Sequence, residues 1–154
     1  MTTHATVQSL NIKDLIRYSS DARVNLPLLA SKDLVTRMNC YEPGQVTPFH
    51  VHPDDDEVIY CVEGRGAITF ESLPPAPLAP GTVISLPAGL PHGIEAAADS
   101  RMVVIYTTNA GYTSVRPEGR ADGANVLATL LEIVKADLLG DVVAYPHQCR
   151  KIEV

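Results

Sequence analysis

Residues 34–107 are divided by glycine and proline into short apolar runs at nearly regular spacing. The runs have the length of strands and are rich in Val, Ile, Thr and Tyr, which favour β-structure. They cover residues 34–41, 58–62, 67–71, 83–86 and 102–107. The segments between them are too short for crossover helices, so a parallel sheet is disfavoured. The pattern predicts an all-β sandwich or barrel.

The segments that flank this β-unit have different patterns. The N-terminal arm, residues 1–33, contains at 11–18 either a short amphipathic helix or a leading strand. Near the C-terminus, apolar residues recur at helical spacing, and Gly140 follows where a helix end favours glycine. We therefore expect one helix over about residues 125–139. Since no internal repeat is apparent, the 154 residues are expected to form a single domain.

Charge and hydropathy exclude two classes of partner. The formal net charge is −6 and the Lys and Arg residues are scattered, whereas nucleic-acid binding needs a basic face. No apolar run approaches the roughly 20 residues that span a bilayer. Residues 1–10 lack a cationic start followed by an apolar stretch, so we expect no secretory signal. Three widely separated cysteines, Cys40, Cys61 and Cys149, are not a disulfide framework. The expected location is the reducing cytoplasm.

Four residues have the pattern of a metal site. His50 and His52 are two apart, so in a strand their imidazoles point to the same face. Glu57 follows a short polar connection, and an antiparallel neighbouring strand that begins there would bring its carboxylate beside the imidazoles. His92 lies beyond a turn, residues 87–89, that would aim it inward. Three imidazoles and one carboxylate suit one divalent transition metal: Mn, Fe, Ni or Zn.

The same residues carry a family resemblance. The stretch Gly44-x₅-His50-x-His52-x₄-Glu57-x₆-Gly64 resembles the first motif of the cupins at every signature position. After sixteen intervening residues, Gly81-x₅-Pro87-x-Gly89-x₂-His92 is similar to the second motif. At its end the family often has Asn, and this chain has Ala96; that Asn is not a ligand. The resemblance implies a jelly-roll barrel, or double-stranded β-helix, with the metal held by His50, His52, Glu57 and His92.

The expected function is catalytic. Structural metal sites are usually closed and four-coordinate, whereas four ligands on an octahedral ion leave two positions open. Many cupins with this ligand set are dioxygenases, so the resemblance implies an oxygenase that acts on a small oxygen-rich substrate such as an enol, diketone or phenol. Glu57 would then be both ligand and proton acceptor. A non-oxidative decarboxylase, isomerase or cyclase is the alternative, and so is a non-catalytic module that binds a small molecule.

Several further residues are weaker candidates for the pocket. On the strand at 34–41, Arg37 and Tyr41 share one face, which we expect to be solvated but which could bind an anionic substrate. Tyr60 and Tyr106 are expected to be ordinary strand residues. Ile59 and Cys61 alternate with Glu57, which predicts a largely apolar chamber around the metal.

Two expectations concern the surface. The acidic run at residues 54–56 is typical of a solvated turn rather than a functional acidic lip. The apolar segment at 24–30 could pair with the sheet edge of a second copy, which predicts a homodimer.

Overall fold

The computed structural model describes residues 7–117. It contains a short 3₁₀ helix, Ile12–Asp14, and nine strands. In chain order the strands are β1 (Val24–Ala30), β2 (Leu34–Tyr41), β3 (Val46–His50), β4 (Glu57–Gly64), β5 (Gly66–Phe70), β6 (Ala76–Leu78), β7 (Val83–Leu86), β8 (His92–Ala96) and β9 (Met102–Asn109). The predicted all-β class is confirmed. The helix predicted at about 125–139 lies outside the described residues.

The strands form two antiparallel sheets. The larger has the order β1-β2-β9-β4-β7, and the smaller has the order β3-β8-β5-β6. Consecutive strands β3 and β4 lie in different sheets, as do β7 and β8, so the chain crosses repeatedly from one sheet to the other. This arrangement is the predicted jelly-roll barrel, or double-stranded β-helix.

The main hydrophobic core lies between the sheets. Alternate residues of β4 point inward, so Ile59 and Cys61 are fully buried while Val58 and Tyr60 are exposed. Inward residues of β2 and of β5 to β9 complete this core, among them Tyr41, Ile68, Ile94 and Met102. The core therefore fills the body of the barrel and leaves only its rim for a site.

A second apolar cluster covers the outer side of the larger sheet. Met38, Cys40 and Val103 are fully buried there, beneath apolar residues of the N-terminal segment such as Leu15 and Ile16. The 11–18 segment, whose conformation the sequence left open, is thus a 3₁₀ turn that packs on the sheet. The N-terminal arm is part of the folded unit, because residues 24–30 form β1 and pair with β2 of the same chain.

Two motif glycines have structural roles that the sequence pattern did not explain. Gly64 has φ +78°, and a Cβ there would lie 1.7 Å from the carbonyl oxygen of Arg101, which no side chain could tolerate. Gly89, with φ +76°, donates its backbone N–H to the carbonyl of His52 at 2.7 Å. Glycine at 89 thus lets the second motif bond directly to the first.

Candidate metal centre

The structure brings the four sequence-predicted side chains together at one end of the barrel. His50, His52, Glu57 and His92 each offer a ligand atom, and these atoms all lie within 4.8 Å of one another. The imidazole centroids are 4.4 Å apart for His50 and His92, and 4.9 Å apart for His50 and His52. The four residues could therefore hold one metal ion between them.

The route by which Glu57 reaches this group differs from the expected one. We expected its strand to pair with the strand of His50, but β3 and β4 belong to opposite sheets. His50 instead pairs in register with His92 on β8, and Glu57 faces them from across the barrel. The six residues between His50 and Glu57 are more than a tight hairpin needs, and they cross the rim between the sheets. The site therefore contains residues from both sheets.

Hydrogen bonds fix the orientation of all three imidazoles. The Nδ1 atoms of His50, His52 and His92 lie 2.8, 2.6 and 2.9 Å, respectively, from the backbone carbonyl oxygens of Pro48, Thr113 and Leu90. A carbonyl oxygen can only accept, so each Nδ1 is the protonated nitrogen. Each Nε2 is then left with its lone pair, which is the form that binds metal. Backbone carbonyls thus prepare three ligands at once.

Burial and charge inside the group fit a cation. His52, Glu57 and His92 are only 5%, 4% and 1% exposed. Glu57 Oε2 and His92 Nε2 lie 3.2 Å apart, yet neither has a hydrogen-bond partner. Two orphaned buried polar atoms that face each other are costly without a shared partner. Burial and then the neighbouring His92 lower the pKa of His50 to about 4, which keeps this ring neutral. The donor set therefore fits a divalent metal ion.

A cavity of about 180 Å³ opens beside the group, and His50, His52 and Glu57 form part of its wall. The rest of the wall is mostly polar, and its apolar members are Pro48 and Ile94. The polar members include Arg23, Asn39, Thr47, Tyr106, Tyr112 and Arg116. The predicted apolar chamber is therefore wrong. Ile59 and Cys61 do face inward, but they lie in the hydrophobic core and not in the cavity wall.

The structure also places the weaker candidates. Tyr106 lines the cavity, whereas Tyr60 is 41% exposed on the outside of the barrel. The face of β2 that we expected to be solvated points inward: Tyr41 is fully buried, and its hydroxyl bonds Thr47 Oγ1 at 2.6 Å. Arg37 is not in the cavity wall, and its guanidinium donates to the side chain of Asn25.

The acidic loop has a role other than a plain solvated turn. Asp55 accepts hydrogen bonds from the Asn109 side chain and from the backbone N–H of Thr113. Asp56 accepts one from the backbone N–H of Ala88 at 2.8 Å. These bonds tie residues 109–113 and the second motif to the rim. Since the carbonyl of Thr113 orients His52, the loop supports the site indirectly.

Sequence reasoning missed the residues that complete the cavity from outside the motifs. Arg23 comes from the arm before β1, and Tyr112 and Arg116 come from the segment after β9. The ring of Tyr112 also meets that of His52 edge-on, with centroids 5.3 Å apart. No motif marks these positions, so only the fold could reveal them.

Comparison with known proteins supports the same class. A family model described as a cupin domain matches residues 37–108. A protein of known structure from Thermus thermophilus is 29% identical, with a TM-score of 0.62 over 72% of this chain and 100% of that one. No curated protein matches the chain by sequence.

Two enzymes of known structure share the fold at lower identity. The polyketide cyclase RemF from Streptomyces resistomycificus is 16% identical, with a TM-score of 0.65 over 81% of this chain and 99% of that one. The DMSP lyase DddQ from Ruegeria pomeroyi is 23% identical, with a TM-score of 0.57 over 73% of this chain and 62% of that one. At these identities the likeness shows the fold alone.

The chain passes repeatedly between two antiparallel sheets, which defines a double-stranded β-helix. The His/Glu group at its rim is a possible metal site. The family model identifies the central strands, residues 37–108, as a cupin domain, and together with the fold it supports a cupin superfamily protein. Among residues 7–117, no helix has the length and hydropathy needed to cross a membrane.

Proposed function

We propose that this cupin is a mononuclear metal-dependent enzyme that acts on a small, oxygen-rich, chelating substrate with dioxygen as the second reactant. The observation that carries the proposal is the position of the His/Glu group. Three of its four members form the wall of a cavity of about 180 Å³. This is smaller than the roughly 300–1,000 Å³ of drug-sized sites, which favours a compact substrate.

The chain's own residues supply binding and proton transfer. His50, His52, Glu57 and His92 would hold the ion, whose chemistry would be Lewis-acid polarisation of the substrate oxygens and, for a redox-active metal, reaction with dioxygen. Glu57 is the carboxylate of the group and the candidate proton acceptor.

Tyr106 is the candidate hydrogen-bond donor to the substrate. Its hydroxyl accepts a hydrogen bond from Asn25 Nδ2 at 2.9 Å, which leaves its own proton to donate, either to the neighbouring Tyr112 or to a bound substrate. Burial raises the pKa of Tyr106 to about 12, so the phenol stays protonated at neutral pH.

A second candidate is a non-oxidative enzyme in which the metal acts only as a Lewis acid. The polar cavity wall favours it. An oxygen-activating site gains from an apolar lining that excludes water, whereas only Pro48 and Ile94 are apolar in this wall. Two neighbours of the same fold are named as a cyclase and a lyase, and neither name is that of an oxygenase.

The first test is metal content. Elemental analysis of wild-type protein should give one divalent ion per chain, and His92→Ala should lose most of it. Asp54→Ala, which removes an exposed carboxylate from the loop beside His52, is the matched control and should keep its metal. Equal metal content in wild type and His92→Ala would refute the metal centre.

The second test is oxygen dependence. Protein reconstituted separately with Fe(II), Mn(II) or Ni(II) would be screened against enols, diketones and phenols in an oxygen electrode, and each active pair repeated without oxygen. Oxygen uptake that matches turnover supports the first candidate. Equal turnover without oxygen replaces it with the second, and binding without turnover would identify a small-molecule-binding module.

We propose a cytoplasmic location on the strength of the cysteines. Cys40 and Cys61 are both buried free thiols, and they lie in separate apolar clusters. Buried thiols of this kind act as small hydrophobic side chains and need no oxidising compartment.

A further inference from the structure

We propose that the substrate carries a carboxylate group and that Arg23 binds it while the metal holds the substrate's other oxygen atoms. This inference rests on the proposed function and names the substrate class of the same site. It starts from the cavity wall opposite the motifs, where Arg23 reaches in from the residue before β1.

Arg23 is held in place by a hydrogen bond, without a counterion among residues 7–117. Its Nη1 donates to Asn39 Oδ1 at 2.8 Å, and Asn39 is a buried residue of β2, only 3% exposed. Among residues 7–117, no carboxylate forms an ion pair with Arg23. A guanidinium has five N–H donors, and the bond to Asn39 uses one. Within the described part of the chain Arg23 donates no further side-chain hydrogen bond, so its other donors are available to a ligand in the cavity.

A network of amides supports this arginine from behind. Asn39 Oδ1 also accepts from Asn25 Nδ2 at 2.6 Å, and Asn25 Oδ1 accepts from Arg37 Nε at 2.8 Å. The same Asn25 amide donates to the hydroxyl of Tyr106. Two arginines are thus joined through two amides with no acid between them. The network fixes the position of Arg23 while leaving its charge uncompensated.

The described lining of the cavity is richer in basic than in acidic side chains, whereas the chain as a whole is acidic. Arg23 and Arg116 both line it, and Glu57 is its one acidic residue. A divalent ion at the His/Glu group would make the lining more positive still, whereas the whole chain carries −6. A local positive potential in a small cleft selects for an anion.

The geometry of a guanidinium suits a carboxylate as this anion. Its planar fork matches the two carboxylate oxygens, and such charge-assisted pairs are among the stronger hydrogen bonds. Tyr106, which has a proton to donate, stands in the same wall and can add a further bond. Because the cavity is small, one compact molecule must reach both the metal and Arg23. A short acid with separate chelating oxygens meets these requirements.

The test uses a matched pair of probes on Zn(II)-loaded protein. The probe 3,4-dihydroxybenzoate has a catechol for the metal and a carboxylate at the other end, and 3,4-dihydroxybenzamide replaces only the charged end. Isothermal titration calorimetry should show that wild type binds the benzoate about ten- to hundredfold more tightly, the range that hydrogen bonds to a charged group give. In Arg23→Gln most of this preference should be lost, with affinity for the benzamide unchanged.

Two further variants separate charge from folding. Arg17→Gln removes an exposed arginine outside the cavity and should keep the full preference. Arg23→Lys keeps the charge without the planar fork and should retain part of the preference for the benzoate. This variant keeps the inference testable if Arg23→Gln misfolds. An equal preference in wild type and Arg23→Gln, no preference in wild type, or no binding of either probe by metal-loaded protein would overturn the inference and leave the metal enzyme standing. Failure of wild type to bind Zn(II) would overturn both the carboxylate inference and the proposed metal enzyme.

Discussion

His50 should make the metal-free protein sensitive to mild acid. Its pKa is about 4 in the folded state, lowered by burial and then by the neighbouring His92. In the unfolded chain the ordinary value is about 6.5. Above pH 6.5 the ring is neutral in both states and contributes no pH dependence. Between pH 6.5 and 4 only the unfolded state takes up the proton, so the free energy of unfolding falls as the pH falls. Below pH 4 both states are protonated and the effect is complete.

The magnitude follows from the difference between the two pKa values. Each unit is worth about 1.4 kcal/mol, so a pKa of about 4 against 6.5 corresponds to a limit of about 3 kcal/mol. Part of the imidazole remains accessible to water, which screens the effect. We therefore expect His50 to cost about 2 kcal/mol of stability between pH 7.5 and pH 4.5.

The assay is urea unfolding followed by circular dichroism on EDTA-treated protein at the two pH values. Other groups titrate as well, so the informative quantity is the difference between wild type and His50→Gln, which cannot take up the proton. Wild type should lose about 2 kcal/mol more than the variant on acidification. Asp54→Asn, an exposed change in the adjacent loop, should behave as wild type. If wild type and His50→Gln lose the same free energy, His50 is not a desolvated neutral ring and the electrostatic account of the site is wrong.

Two further predictions concern packing and assembly. Gly66→Ala should lower the free energy of unfolding by about 1–3 kcal/mol, measured by urea titration, because a Cβ there would lie 2.2 Å from the backbone oxygen of Glu95 and must displace it. Unchanged stability would contradict this contact. We also propose a homodimer, since β1 is an edge strand of the larger sheet and its free side has no strand partner among residues 7–117. Light scattering should give about twice the chain mass of 16.6 kDa, and the mass of a monomer would refute the proposal.

The sequence predicted the regular strands well because their side chains alternate cleanly. The bounds of β2 and β7 agree with the expected runs residue for residue, and β4, β5 and β9 agree to within two residues. The strands β3, β6 and β8 lie outside the expected runs, although His50 was expected to lie in a strand. β3 and β6 contain a proline each, and β8 begins with His92 and Gly93, so their composition does not favour β-structure. These strands are specified by pairing partners distant in sequence, which a local pattern does not reveal.

The four site residues could be named from the motifs, but their arrangement could not. Spacing predicts that His50 and His52 lie together, and the structure agrees, with ring centroids 4.9 Å apart, although His52 lies just beyond the end of β3. Which sheet carries Glu57 depends on whether residues 51–56 turn back or cross the rim. The hydrogen bonds of Asp55 and Asp56 to distant segments hold the crossing path. Long-range contacts of this kind have no signature in the spacing of the ligands.

The division between motif and flank separates two functions of the site. The motif strands supply the His/Glu group, which would serve a metal in an oxygenase, a cyclase or a lyase alike. The residues that distinguish one substrate from another come from elsewhere: Arg23 from the arm before β1, and Tyr112 and Arg116 from the segment after β9. Neither segment contributes to the main core between the sheets. In this chain they make a small, positively charged, polar cavity. The specificity of this cupin should therefore be sought in its flanks, and changes there should alter substrate choice while the metal content stays the same.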